Sequence, residues 1–169
     1  MSVQRIIAIT GASGFLGNAL VRHFLQRGDK VVALVRAIPA KKIPEVEYVL
    51  FDLSNGKCSK QQIEADVLIH SAYVPVNDSK SALEQNTNGT ISLLKLFPAS
   101  SRKLFISSVS ADLNSPAVYG RQKALIEKLF LEQGGCAIRP GLILGNGGMF
   151  ATMRDYLKKK SNIPIFQGG

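Results

Sequence analysis

Apolar and polar positions follow two rhythms that alternate from one end of the chain to the other. Short β-branched or wholly apolar runs occur at residues 5–10, 31–35, 46–51, 67–70, 103–107 and 136–139, with a last short run at 163–166. Each predicts a strand, and the unbroken apolar character of 31–35 predicts one covered on both faces. Helical spacing fills the intervals. Leu16, Leu20 and Phe24 stand at i, i+4 and i+8, which places them on one face of a helix over 18–27 that Gly28 ends. Residues 81–97 predict a long helix despite Gly89, closed by Pro98. Residues 118–133 predict another, stopped by Gly134 and Gly135, and 149–160 a last one. Strands and helices in strict alternation predict a doubly wound α/β domain over residues 1–169. Its sheet would be parallel, with helices on both faces and right-handed crossovers. No linker, repeat or low-complexity segment breaks the pattern.

Composition narrows the class. The 169 residues are 46% apolar and 20% charged, which excludes disorder, collagen and coiled coil. Cys58 and Cys136 are too few and too far apart for a disulfide framework or a zinc site. Reduced, buried thiols in a cytoplasmic protein are expected instead, and no metal. The uncharged stretch 6–21 is short for a membrane span, is broken by Thr10, Gly11, Ser13, Gly14 and Gly17, and has no cleavage site after it. Neither a leader nor a membrane partner is expected. The net charge of +9, from 21 basic and 12 acidic residues, is spread along the chain. Its one short run, Lys158, Lys159 and Lys160, suits the C-terminal end of a helix. Without interleaved aromatics it predicts no nucleic-acid partner, whereas an anionic ligand fits.

The glycine loop makes that ligand specific. Thr10-Gly11-Ala12-Ser13-Gly14-Phe15-Leu16-Gly17 carries glycines at positions one, four and seven of a turn between a strand and a helix. The first permits the tight turn, the second lets backbone N–H groups approach a pyrophosphate, and the third lets helix and sheet pack closely. Phosphates would sit at the positive end of the helix beginning near Phe15. Inside a βαβ unit, this predicts a dinucleotide site. Arg36 ends the second strand nineteen residues past Gly17, and no Asp or Glu occurs from Lys30 to Pro44. An acidic residue there would bind a ribose 2′-hydroxyl, whereas an arginine accommodates a 2′-phosphate. With Lys41 and Lys42 close by, NADP is expected over NAD.

Tyr119 and Lys123 stand four apart on a predicted helix, hence on one face. A free tyrosine with a pKa of about 10 is a poor base at neutral pH, and a lysine ammonium on the same face favours its phenolate. Ser107 and Ser108 close the fifth strand at the sheet edge where such folds bind ligands. A serine hydroxyl there can hold a carbonyl oxygen while the tyrosine gives or takes its proton. Tyr73, Val74, Pro75 and Val76, after the fourth strand, read either as pocket lining or as packing.

Together these motifs resemble the short-chain dehydrogenase/reductases in their extended (epimerase/dehydratase-like) or atypical branches, over nearly the whole chain. The resemblance implies a Rossmann sheet of order 3-2-1-4-5-6. TGASGFLG is similar to the extended-branch motif at every glycine and implies cofactor contacts from Gly11, Ser13, Gly14, Phe15, Leu16 and Gly17. Phe51-Asp52-Leu53 resembles the segment in which the aspartate, here Asp52, contacts the adenine amine. His70-Ser71-Ala72 resembles the strand end beneath the cofactor, and Arg139-Pro140-Gly141 the one beside the nicotinamide. In Asn86-Thr87-Asn88-Gly89-Thr90 the first asparagine would support the active site. Ser108, Tyr119 and Lys123 would be the catalytic trio, with Lys123 also on the nicotinamide ribose. Gln122 stands where serine is common. The eleven residues from Ser108 to Tyr119 are few for the extended branch, which keeps Ser107 and Ser110 open as the functional serine.

The expected function is an NADP-dependent oxidoreductase or epimerase/dehydratase acting by hydride transfer at a secondary alcohol or ketone. A redox-inert NADP(H)-binding regulator or assembly factor is the alternative. Expected partners are a small-molecule substrate and, as one option, a second copy in a homodimer. Extended members continue beyond the last strand into a substrate-binding region, which is expected to be largely absent from these 169 residues.

Overall fold

The computed structural model describes residues 3–75 and 80–159. In chain order the elements are β1 (Ile6–Thr10), α1 (Phe15–Gln26), β2 (Lys30–Val35), β3 (Val46–Asp52), β4 (Lys57–Cys58) and β5 (Val67–His70). They continue as α2 (Lys80–Lys95), β6 (Arg102–Ile106), α3 (Val118–Glu132), β7 (Cys136–Ile138) and α4 (Gly148–Lys158). The sheet runs β4-β3-β2-β1-β5-β6-β7. Every pairing is parallel except β3 with β4, where Phe51 faces Cys58 and Asp52 faces Lys57. With β4 set aside, this is the expected order 3-2-1-4-5-6.

The short β4 is the one strand that the pattern misses. It forms because the Asp52 carboxylate accepts hydrogen bonds from Ser54 N at 2.9 Å and Ser54 Oγ at 2.7 Å, closing a turn that folds the chain back on β3. Two residues carry no periodicity to read. α1 starts at Phe15, as the glycine loop implies and three residues ahead of the amphipathic stretch from Asn18, because Gly14 is its N-cap and the Gly14 carbonyl already accepts the Asn18 N–H at 2.9 Å. The strand expected at 163–166 and Lys160 lie outside the described residues. Among those residues, no helix is long and apolar enough to cross a membrane.

The two faces of the sheet carry separate cores. On one, Val21, Leu20 and Phe24 of α1 pack against Ile7, Ile9, Val31, Ala33 and Ile69. On the other, Leu93, Ile126 and Phe130 of α2 and α3 cover Ala8, Val32, Leu34, Leu68 and Phe105. Each fully buried large apolar side chain contributes roughly 1.5–3 kcal/mol. β2 is therefore buried at every position after Lys30, as its apolar run requires. Gly89 costs α2 about 1 kcal/mol of helix propensity, and packing explains its presence. A Cβ there would run into the Leu53 carbonyl oxygen.

The cysteines depart from expectation. Both are free, but Cys136 is exposed and Cys58 only half-buried. Cys136 opens β7, the last strand of the sheet, where no further strand covers it among the described residues.

Candidate active site

Parallel strands bring their carboxyl ends to one edge, and the chemistry-bearing motifs follow them there. The glycine loop leaves β1 at Thr10. Gly11 has φ +67°, and a Cβ on it would lie 2.9 Å from Ala72 N. Only glycine lets this loop lie so close to the chain leaving β5. Gly17 lies buried beneath the loop, and the N-terminus of α1 has neither a side-chain cap nor an acidic residue in its first turn. Its N–H groups and positive dipole end are free to face an anion.

Two cavities flank the loop. The first, about 290 Å³, is lined by Gly11, Ser13, Gly14, Arg36, Leu53 and Ala72. The second, about 550 Å³, is lined by Phe15, Leu16, Ser108, Tyr119, Lys123 and Pro140 among others. Ser71 and Tyr73 border both. Of the residues singled out in the sequence, Gly17, Asp52 and Asn86 border neither. Asp52 serves the turn before β4. Its hydrogen bonds with Ser54, and secondarily the charge of Arg36, hold its carboxyl below the usual range.

A buried chain of hydrogen bonds supports the ridge between the cavities. Thr10 Oγ1 accepts from Ser71 N and Ala72 N, both at 3.1 Å, so its own hydrogen goes to His70 Nδ1 at 2.7 Å. That assigns the remaining ring hydrogen to Nε2, which donates to Thr90 Oγ1 at 3.2 Å. Thr90 Oγ1 donates in turn to the Asn86 carbonyl at 2.7 Å. The Asn86 amide then clamps Val74, accepting from its N–H and donating to its carbonyl, both at 2.9 Å. The His70 ring stacks on Phe105 and Phe130, with centroids 5.5 and 5.7 Å away.

His70 is thus a neutral histidine. Burial first, and the charge of Lys123 second, push its pKa down to about 3. The unfolded chain takes up a proton near pH 6.5 that the folded chain refuses. Stability is therefore complete above that pH and falls as the pH drops toward about 3, by about 1.4 kcal/mol per unit. Urea unfolding at pH 7 and pH 5 should show His70→Gln losing about 2 kcal/mol less than the parent over that interval. Equal losses would mean that His70 is not held neutral.

Tyr119 and Lys123 sit one turn apart on α3, as their spacing predicts. Lys123 is 4% exposed; its Nζ donates to the Ile106 carbonyl at 2.9 Å. It lies 4.7 Å from the Phe105 ring centroid, 5.4 Å from that of Tyr73 and 5.6 Å from that of Tyr119. Burial lowers its pKa to about 8, with Glu127 acting the other way. The three serines follow β6 rather than ending it. Ser107 is buried, and its Oγ lies beside the Glu127 carboxylate without a hydrogen bond of good geometry. Ser108 is half-buried, its Oγ accepting from Ser110 N at 3.1 Å, and Ser110 is exposed. Arg139 turns from β7 to α3 and makes a bidentate pair with Glu127 at 2.8 and 2.6 Å.

The family described as the NAD dependent epimerase/dehydratase family matches residues 7–148 of this chain. The chain belongs to that family. It is 30% identical over 150 residues to the ceramide reductase of Caulobacter vibrioides (strain NA1000 / CB15N), a match covering 84% of this chain and 47% of the reductase. The fold is similar to that of a solved UDP-galactose 4-epimerase, with TM-score 0.69 and 20% identity, covering 94% of this chain and 64% of the epimerase. It is also similar to a short-chain dehydrogenase from Leptospira borgpetersenii serovar Hardjo-bovis (strain JB197) solved with bound NAD+. There the TM-score is 0.63 and the identity 23%, over 92% of this chain and 78% of the dehydrogenase. The chain spans less than half the length of the curated relatives it matches.

Within this epimerase/dehydratase-family domain, two features escaped the sequence reading. The backbone of Gly147 packs directly on the Phe15 ring, where a Cβ would come within 2.6 Å of Cδ2. This ties the segment before α4 to the glycine loop, a contact between distant positions that no local pattern announces. Tyr73 is the other. Its ring meets that of Tyr119 edge to face, with centroids 5.1 Å apart and planes at 82°. Its aromatic ring in a loop was the only signal.

Proposed function

We propose that this domain binds NADP(H) and carries the proton-transfer machinery of an oxidoreductase or epimerase/dehydratase acting at a secondary alcohol or ketone. The observation that carries the reading is the placement of Tyr119, Lys123 and Ser108 around one cavity beside an uncapped, glycine-lined helix N-terminus. The residues fit a dinucleotide. The Gly11 and Gly14 positions leave room for a pyrophosphate against the N-terminus of α1, and Leu53 and Ala72 wall a slot for an adenine. When bound, the dinucleotide supplies the hydride donor or acceptor.

The chain's own residues do the rest. The Ser108 hydroxyl donates a hydrogen bond to the substrate oxygen. The Tyr119 phenol gives its proton to that oxygen in reduction and takes it back in oxidation. The Lys123 ammonium favours the phenolate left behind. One of its three hydrogens is committed to Ile106, which leaves two for ribose hydroxyls. Asn86, through Val74, and His70, through Thr10, hold the ridge on which the cofactor would rest. Oxidation of NADPH by ketones, aldehydes or keto sugars, followed by nicotinamide absorbance, tests the chemistry together with redox-neutral conversion of nucleotide sugars in the presence of the oxidised cofactor, followed by product analysis. No turnover with any of them would overturn it.

Arg36 supports NADP over NAD. It is exposed at the mouth of the first cavity. Beside it, Arg22, Lys41 and Lys42 line a further cleft of about 460 Å³ that reaches Ser13. A charge-assisted hydrogen bond to a 2′-phosphate contributes about 1.5–3 kcal/mol, so NADPH should bind roughly ten- to a hundredfold tighter than NADH. Arg36→Asp should erase the difference. Equal dissociation constants for the two cofactors in fluorescence titrations of the parent would overturn the assignment.

A further inference from the structure

Tyr73 has no role in the proton transfer described above, yet it lies beside both groups that carry it. It stands on the ridge shared by both cavities. Its backbone is held from two sides, by the Asn86 clamp on Val74 and by the Thr10 hydroxyl on Ser71 and Ala72. Its ring meets Tyr119 edge to face. The Lys123 ammonium lies 5.4 Å from the centre of that same ring. One side chain therefore touches both members of the proton-handling pair, from a different element and across the cavity.

We propose that Tyr73 is a positioning residue for the Tyr119/Lys123 pair, holding the Tyr119 ring by its edge and shielding one side of the Lys123 ammonium from water while the rest of it faces the cavity. Lys123 is otherwise enclosed by the Phe105 ring and the Ile106 carbonyl of β6. Glu127 on its own helix is the acidic group acting on it, and that carboxylate is committed to Arg139, which follows β7. His70 of β5 is neutral and Tyr119 lies on the same helix. Tyr73 is thus an aromatic cover on part of the cavity side. Burial, the leading cause of the low Lys123 pKa, would depend in part on that cover.

Tyr73 stays a phenol as the pair titrates. Burial, then the nearby Tyr119, raises its pKa above the ordinary tyrosine value. The ring rather than the hydroxyl carries the proposed role, so phenylalanine should substitute and alanine should not.

The inference rests on the reading of Tyr119 and Lys123 as the reacting pair, but its test needs neither substrate nor cofactor. Lysine-labelled protein is titrated by NMR, with the Lys123 signal assigned through Lys123→Arg. In the parent the Lys123 midpoint is expected at about 8. In Tyr73→Phe it should stay there. In Tyr73→Ala water reaches the ammonium, and the midpoint should rise by about one unit or more toward the ordinary lysine value. The Tyr119 ring resonances, seen in tyrosine-labelled protein, should shift in Tyr73→Ala and hold in Tyr73→Phe. A parent-like Lys123 midpoint and parent-like Tyr119 resonances in a folded Tyr73→Ala protein would overturn the proposal. If the alanine variant does not fold, Tyr73→Leu serves, with the loss of Tyr119 edge shielding expected and its retention decisive against. A failure of turnover with every substrate tried would sink the enzymatic reading and leave these titrations standing.

Discussion

Tyr119→Phe is expected to lower turnover by about 10²–10⁴-fold while leaving cofactor binding close to that of the parent. The substitution removes one oxygen and keeps the ring. The edge-to-face contact with Tyr73, at 5.1 Å between centroids, and the packing beside Lys123, at 5.6 Å, need only that ring. Tyr119 is 37% exposed, so no buried partner is stranded when the hydroxyl goes. The melting temperature should therefore hold. What disappears is the proton that the substrate oxygen receives, and no nearby group replaces it. Ser108 is a weak acid, and one Lys123 hydrogen is already donated to the Ile106 carbonyl. The check pairs a cofactor dissociation constant with a single-turnover rate of NADPH oxidation. Retention of most activity would make Tyr119 a packed helix residue. A loss of cofactor affinity as large as that from Lys123→Ala would make its role one of binding instead.

The parallel strands were legible because each is a run of apolar or β-branched residues between glycine or helical signals, and their order followed from the family resemblance rather than from the pattern. β4 was not, since a two-residue strand is made by the Asp52–Ser54 turn rather than by any periodicity. The glycine loop and the Tyr119/Lys123 spacing were legible because their chemistry depends on sequence-local geometry: a turn, and one helical step. Features that join distant parts of the chain were not. Nothing near Asn86 announces that its amide clamps Val74, and nothing near Phe15 announces Gly147. His70 was read as part of a strand end. Only the three-dimensional count of donors and acceptors shows it bridging Thr10 to Thr90 as a neutral ring. Ser107, Ser108 and Ser110 all line the second cavity, a placement set by how the chain leaves β6, and burial separates Ser107 from the other two.

The glycine loop yields the other large expected effect, because two of its glycines are needed for different reasons. A Cβ on Gly17 would run into the Gly11 carbonyl oxygen and come within 2.6 Å of Gly11 C and 2.8 Å of Ala12 Cα. These are backbone atoms, and Gly11 is itself wedged against Ala72, so the loop cannot yield without leaving β5. A Cβ on Gly14 meets nothing closer than the Gly11 carbonyl oxygen at 3.1 Å, and its φ of −77° suits any residue. Gly17→Ala should therefore destabilise the folded protein by about 1–3 kcal/mol, as overpacking does, lowering Tm by several degrees. It should also weaken cofactor binding at temperatures where the variant is still folded, because the N–H groups facing the anion move with the loop. Gly14→Ala should lower Tm less than Gly17→Ala does, and should lose cofactor affinity roughly tenfold, since its methyl would stand where the pyrophosphate approaches α1. Thermal melts with and without NADPH separate the two. A Gly17→Ala protein with the parent's Tm would mean the helix does not need that approach. Undiminished NADPH affinity in Gly14→Ala would mean the pyrophosphate does not lie on this turn.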